Sequence, residues 1–423
     1  MNKKPINEIR VEDYIQQDFA NWESEDLFEV TRYYEAYVND AKKKGYYIYG
    51  QPVSSSPGPR FTVYDFNQKR EREFINFCSY NYCGFSYHPE VLKASKKALD
   101  QYGAGAVSAP LLSGTYDVTI NLENKIAEFK QKDAAIIFSS GYGTNLGTIQ
   151  ALMRPGDVVV MDMLAHASIV DGAKLSGADM KFFRHNSPKH LDRLLSGLKT
   201  KRVLVCFEGV YSMDGDIAPV DEIVEVCKKH NVKTLIDEAH STLVFGEKGR
   251  GVAEHFGVEQ DIDLHIGTFS KSFGGIGGFC AANSEIIIYL KYYARSFLFS
   301  CGISPVMSAG LLKALEIYQN DPTIKERIWE NSAYMKKKLD DSGFDTLDSK
   351  SQVIPVIAGK DSELREASVR MQDKGLFLGA ITYPAVPKNK TRFRISVSSE
   401  HTKKDIDDAV DIMIQVYKDM GKF

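Results

Sequence analysis

Two side chains in this sequence stand where covalent and electrostatic chemistry can be done. Lys271 lies in HIGTFSKSFGGIGGF (His265–Phe279), after an apolar run and the hydroxyls of Thr268 and Ser270 and ahead of Gly274, Gly275, Gly277 and Gly278. A lysine amine attacks carbonyl carbons and, once neutral, serves as a base. The alternative is a surface lysine at a turn, and the segment alone does not separate the two. Asp237, in LIDEAH, ends a second apolar run. A carboxylate there is costly to bury unless it meets a cation, and a protonated pyridine nitrogen is one such cation.

The elements that must position these groups are short and regular. From about residue 60 to 300, apolar β-branched runs alternate with helical patterns: AAIIFSS, DVVVMD, MKFFRH, RVLVCFEG, VKTLIDEAH and LHIGTFS. Such runs predict strands covered on both faces by helices, hence a mostly parallel sheet, and these sheets bind ligands at the carboxyl ends of their strands. Ser139, Ser140, Asp162, Glu208, Asp237 and Ser270 all sit where an apolar run stops. Beyond about 310 longer amphipathic helices take over (LLKALEIYQN, IKERIWENSAYMKKKLDDSG), with a strand candidate VIPVIAG and a closing strand and helix from RFRIS onward. The expectation is an α/β fold in three parts: an N-terminal arm over 1–59, a large α/β domain over 60–310 and a smaller α+β domain over 311–423. The arm is rich in tyrosine at partly helical spacing, including Tyr33, Tyr34 and Tyr37, and reads as a segment that packs on something, a partner subunit being one such surface. VSSSPGPR breaks any helix and marks its end.

Bulk properties exclude several classes. At 423 residues the chain is long enough for more than one core, and 43% hydrophobic with 26% charged residues is an ordinary globular balance, not a disordered one. A formal net charge of -3 gives no field that recommends nucleic acid or an anionic membrane as partner. The start, MNKKPINEIRVEDYIQQDF, has no apolar stretch after its lysines, and no run is long enough for a membrane span. Six cysteines without paired spacing predict reduced thiols in a cytoplasmic protein, and the absence of CxxC or HxxxH spacing argues against a metal site.

The aspartate strand and the lysine turn, taken with further segments in order, resemble the α-oxoamine synthase family of fold-type I pyridoxal-phosphate enzymes. The resemblance runs from about Asn76 to His401 through NFCSYNYCGF, YGAGAVSAPLLSGTYDVTINLE, FSSGYGTN, AHASIVDG, EGVYSMDGD, DEAHSTLVFGEKGRG, GTFSKSFGGIGGF, FLFS and RFRISVSSEHT. It implies pyridoxal 5'-phosphate carried on Lys271 and the ring nitrogen held protonated by Asp237. It places His166 stacked on the ring, and His240 and Ser212 near the ring's phenolic oxygen. A phosphate wants amides at a helix start plus hydroxyls, which Gly141 and Tyr142, with Thr144 nearby, and Thr268 and Ser270 supply. Ser300 matches a serine that reaches the phosphate of the other subunit, which implies a homodimer with shared sites; its alternative role is a helix cap. Carboxylate recognition calls for the planar fork of an arginine. Arg392 and Arg394 alternate along one strand and so share a face; the family motif selects Arg394, with Asn81 assisting, and leaves Arg392 to an ion pair.

The implied reaction joins an amino acid to an acyl thioester with loss of carbon dioxide. Lys271, His166, Asp237 and His240 form its catalytic set. SYNYCGF and the spacing through GTYDVTINLE are most similar to the members that use L-serine and a long-chain acyl-CoA. Glycine or alanine with a shorter acyl-CoA or acyl-carrier protein is the alternative, kept open because Ala109 and Pro110 stand where many members carry an arginine before SGT. Two other readings are an aminotransferase of the same fold and a non-catalytic subunit that regulates a catalytic partner.

Overall fold

The computed structural model describes residues 4–200, 202–387 and 389–422. The chain divides into two compact units, the larger comprising Tyr80–Ser212 with Asp216–Ile328 and the smaller Met1–Ser79, Met213–Gly215 and Trp329–Phe423.

In the smaller unit, strands β1 (Arg60–Asp65) and β2 (Arg70–Asn76) form an antiparallel pair. The N-terminal segment belongs to this unit and folds against its own chain: Ile9, Val11, Tyr14, Phe19, Tyr37 and Ala41 make an apolar cluster, with Tyr33 and Tyr34 packed on it. Arg365 ties the segment down, donating to the Tyr37 hydroxyl at 2.8 Å and the Val11 carbonyl at 3.1 Å. The aromatic spacing therefore serves an intrachain core.

The larger unit is built on β3 (Ala134–Phe138), β4 (Val158–Asp162), β5 (Asp179–Phe183), β6 (Val203–Glu208), β7 (Lys233–Asp237), β8 (Leu264–Thr268) and β9 (Gly278–Ala282). They form one seven-stranded sheet in the order β3-β9-β8-β7-β6-β4-β5. Strands β4 to β8 run parallel, and β9 is antiparallel to both its neighbours. This is the fold-type I architecture expected from the sequence, and each of the six apolar runs becomes a strand. Every residue of β4, β6 and β8 is buried, as strands covered on both faces require. Chain order reverses around β4, which has β5 on one side and β6 on the other. Crossovers then leave in opposite directions and open a crevice at the carboxyl ends.

The rest of the smaller unit contributes β10 (Val353–Gly359), β11 (Leu376–Phe377), β12 (Gly379–Ile381) and β13 (Thr391–Ser396), in two three-stranded sheets ordered β1-β2-β11 and β10-β13-β12. The short Met213–Gly215 piece joins it through Gly215, whose carbonyl accepts from Lys350 N at 3.0 Å and Ser351 Oγ at 2.8 Å. Only glycine fits there: φ is +69° and a Cβ would lie 1.9 Å from the Val353 carbonyl oxygen. Residue 311, the expected start of the smaller C-terminal domain, falls inside the continuous helix Pro305–Asn320, and the smaller unit resumes at Trp329.

Within the larger unit, the residue after Asp237 is fixed by a buried ion pair. Glu238 Oε2 lies 2.6 Å from Lys130 Nζ, with both side chains inaccessible, and the same amine donates to Thr242 Oγ1 at 3.1 Å and to the Arg250 carbonyl. Burial favours the neutral acid, but Lys130 prevails and holds the Glu238 carboxyl at about 2. A depressed carboxylate contributes stability above its ordinary value of 4.5, and that contribution is lost as pH falls toward about 2. Lys130→Met, which strands the carboxylate, is expected to cost about 3–5 kcal/mol in urea unfolding at neutral pH and to flatten the acid limb of the stability profile; an unchanged midpoint would contradict this.

Candidate active site

At the carboxyl ends of the strands of the larger unit lies a cavity of ≈340 Å³, in the size range of small-molecule sites. It brings together eight of the residues singled out from the sequence: Gly141, Tyr142, His166, Asp237, His240, Thr268, Ser270 and Lys271.

Lys271 enters from the turn after β8, where its carbonyl accepts the Gly274 amide at 2.9 Å. Its amine has no hydrogen-bond or ion-pair partner among the described residues. Burial lowers the amine below its usual range, against the opposing charges of Asp237 and Glu208. A depressed amine is closer to the neutral, nucleophilic form.

Asp237 is 6% exposed and ends β7. Its Oδ1 accepts the Ala239 amide at 2.9 Å and its Oδ2 accepts from Asn145 Nδ2 at 2.6 Å. These are neutral donors, and no lysine, arginine or histidine forms an ion pair with it among the described residues. The charge is oriented, and it faces the cavity without a protein counter-ion.

A hydrogen-bonded row runs from this carboxylate to His166. Asn145 Nδ2 also donates to Ser168 Oγ at 3.0 Å, and Ser168 Oγ lies 2.7 Å from His166 Nδ1. Because His166 Nδ1 also accepts the Ser168 amide at 3.3 Å, the ring proton resides on Nε2. Burial, and the nearby Lys271, lower the His166 imidazole below its usual range while Asp237 opposes them. His166 itself caps the helix Ala167–Ser176. His240 is held by the Tyr82 hydroxyl, 2.9 Å from Nδ1, and burial puts its imidazole well below the usual range.

Another part of the cavity lining suits an anion. The helix Gly141–Leu152 begins there, and the amides of Gly141 and Tyr142 have no acceptor within the helix. Thr268 Oγ1 lies 2.7 Å from Ser270 Oγ. A Cβ on Gly141 would fall 2.6 Å from Thr268 Oγ1, so glycine is what allows amide and hydroxyl to converge. Thr144, expected nearby, turns its hydroxyl to the Ser140 carbonyl at 2.9 Å.

Four expected residues lie outside this wall. Ser212 is in the turn closed by the Val210–Ile217 bridge. Ser300 Oγ is 3.4 Å from Ser139 Oγ of the same chain. Asn81 Nδ2 donates to Ser86 Oγ at 2.9 Å. Arg394 is on β13 of the smaller unit, 7% exposed, and burial lowers its guanidinium slightly below the usual range. Arg392, two residues earlier, is ion-paired to Asp214 and donates to the Met213 carbonyl at 3.0 Å. Sequence reasoning gave no role to Asn145, Ser168, Tyr82 or Glu208. Asn145 meets Asp237 across 92 positions, a separation that leaves no local pattern to read.

Residues 72–413 match the model of the aminotransferase class I and II family. The chain is 39% identical over 386 residues to the 8-amino-7-oxononanoate synthase of Thermoanaerobacter pseudethanolicus, covering 91% of this chain and 96% of that protein. It is 37% identical over 382 residues to the serine palmitoyltransferase of Sphingobacterium spiritivorum, covering 90% and 94%. A solved serine palmitoyltransferase from S. paucimobilis with a bound PLP-myriocin aldimine matches with a TM-score of 0.89 at 31% identity, over 94% of this chain and 100% of that one.

The loops that carry His166 and Ser212 are joined by one ring. His185 Nδ1 lies 3.0 Å from Asp162 Oδ1 and its Nε2 lies 2.8 Å from Asp216 Oδ2. Burial works against its charge, but the two carboxylates win and raise the imidazole from 6.5 to about 10. A raised histidine stabilises fully below 6.5, and the contribution is lost as pH rises toward about 10. His185→Gln is therefore expected to lower the urea midpoint at pH 6 and to remove most of the decline between pH 6.5 and 10; a variant that keeps the wild-type slope would contradict this.

Proposed function

Since the chain belongs to the aminotransferase class I and II family, as a pyridoxal-phosphate-dependent acyltransferase of its α-oxoamine synthase branch, we propose that it condenses L-serine with a long-chain acyl-CoA. The products are an α-amino ketone, carbon dioxide and free thiol. The observation that carries the reading is one cavity lined by an amine, Lys271, and a buried carboxylate, Asp237, neither of which forms an ion pair among the described residues.

These residues fit the cofactor. Asp237 would hold the proton on the ring nitrogen. His166 would lie on the ring face and His240 near the phenolic oxygen, with Ser212 contributing from its loop. The Gly141 and Tyr142 amides with the Thr268 and Ser270 hydroxyls would hold the phosphate, and Ser300 would reach the phosphate in a second copy of the chain, making a homodimer with shared sites. When bound, pyridoxal phosphate supplies an electron sink for negative charge at the amino acid's α-carbon. Lys271 would anchor the group, and its amine would serve as general base toward the α-proton and later return a proton. Arg394, assisted by Asn81, would hold the substrate carboxylate and so orient the bond that breaks.

The choice of substrates rests on two supports. The serine palmitoyltransferase match covers nearly the whole chain. The segment Val107–Leu112 carries no cation, while Val107 is 88% and Leu112 is 83% exposed. Apolar surface of that kind suits a hydrocarbon chain better than one ending in a carboxylate, as an oxononanoate does. The 39% relative supports a second reading, glycine or alanine with a shorter acyl-CoA or acyl-carrier protein. Six cysteines without disulfides agree with a reducing, cytoplasmic setting, and no described helix is long and apolar enough to cross a membrane.

Free-thiol release from a panel of amino acids and acyl donors tests the assignment. L-serine with long-chain acyl-CoA is expected to lead in kcat/KM by about tenfold or more; a lead for alanine or glycine with a shorter donor would replace it, and consumption of an oxo acid without thiol release would make the chain an aminotransferase. Arg394→Lys, which loses the planar fork, is expected to raise KM for the amino acid by about tenfold with a smaller change in kcat; an unchanged KM would remove Arg394 from the site.

A further inference from the structure

Glu208 lines the same cavity as Lys271, yet none of the roles above uses it. It ends β6 in register with Asp237 at the end of β7, is 4% exposed, and takes part in no ion pair among the described residues. Its Oε1 accepts the backbone amide of His166 at 2.7 Å. That amide belongs to the residue capping the helix Ala167–Ser176, at the end of the loop leaving β4. A side-chain oxygen from β6 thus fixes the point where the neighbouring strand's loop turns into its helix. The bond spans the crevice where the sheet order reverses.

Building on the cofactor reading, we propose that Glu208 is a positioning residue for His166, setting the imidazole against the cofactor ring through this one amide contact and not through its charge. The geometry explains why charge is dispensable. Two carboxylates in register on adjacent buried strands cannot both be ionised without cost. Asp237 accepts two hydrogen bonds, from Asn145 Nδ2 and from the Ala239 amide. Burial pushes the Glu208 carboxyl well above the usual range, and Asp237 adds to this while Lys271 opposes it. A protonated carboxyl still accepts the amide through its carbonyl oxygen, as would the carbonyl of a glutamine. An aspartate keeps the acid and falls one carbon short of the amide.

Wild type, Glu208→Gln and Glu208→Asp, each loaded with pyridoxal phosphate, form a reciprocal test by absorbance titration and by circular dichroism of the bound cofactor's visible band. Glu208→Gln is expected within about threefold of the wild-type cofactor affinity with the same visible band. Glu208→Asp is expected to lose about tenfold, the size of one buried hydrogen bond, with a weakened visible band and an unchanged far-ultraviolet spectrum. In a His166→Ala background Glu208→Asp should add less than about twofold, because contacts acting through one residue are not additive. A Gln variant as impaired as Asp, an Asp variant as good as wild type, or a full additional loss on top of His166→Ala would each overturn the proposal. Failure of the wild type to bind pyridoxal phosphate would instead overturn the cofactor reading, so the two failures are distinguishable.

Discussion

A carboxylate taken out of water and given no cation is among the least favourable things a protein interior can hold, and the larger unit is organised around one. Asp237 ends a strand buried on both sides, oriented by Asn145 and the Ala239 amide but neutralised by neither. A cation from outside the polypeptide would lower its free energy, and the cavity beside it offers the space for one. The amine of Lys271, without a hydrogen-bond or ion-pair partner among the described residues, is the complementary half of the proposed arrangement. A protonated pyridine carrying an aldehyde would satisfy both.

Holding such a pair apart requires stiff supports. Glu238, the residue after Asp237, is paired with Lys130, which fixes the end of the strand. The crevice loops are braced in a similar way: His185 bridges Asp162 and Asp216, and Glu208 fixes the His166 amide. Both braces join loops from different strands, so the ring contacts depend on sheet order, and sheet order depends on the two directions of crossover around β4.

Much of this could be read from the residues, for physical reasons that also set the limit. Strands covered on both faces need continuous apolar β-branched runs, so β3, β4 and β6 to β8 announce themselves, whereas β5 is an edge strand left mostly exposed. The strand β9 does not, because GFCAA follows a glycine cluster and reads as part of a turn. The polar residues that end those runs include Asp237, and Lys271 follows one, which made both legible. The contacts that orient them were not, since Asn145 to Asp237 spans 92 positions and His166 to Glu208 spans 42. The N-terminal aromatics were legible as a packing segment, but their partner, Arg365 of the same chain, lies more than three hundred positions away. The three-residue piece Met213–Gly215 was invisible for the same reason: only folding brings it to Lys350 and Ser351.

The central claim is that the Asp237 carboxylate and the Lys271 amine are completed by one covalently held cofactor. Borohydride reduction of the protein loaded with pyridoxal phosphate, followed by proteolysis and mass spectrometry, locates the attachment directly. A single phosphopyridoxyl addition is expected on the peptide containing Lys271. An addition on any other lysine, or none, would contradict it.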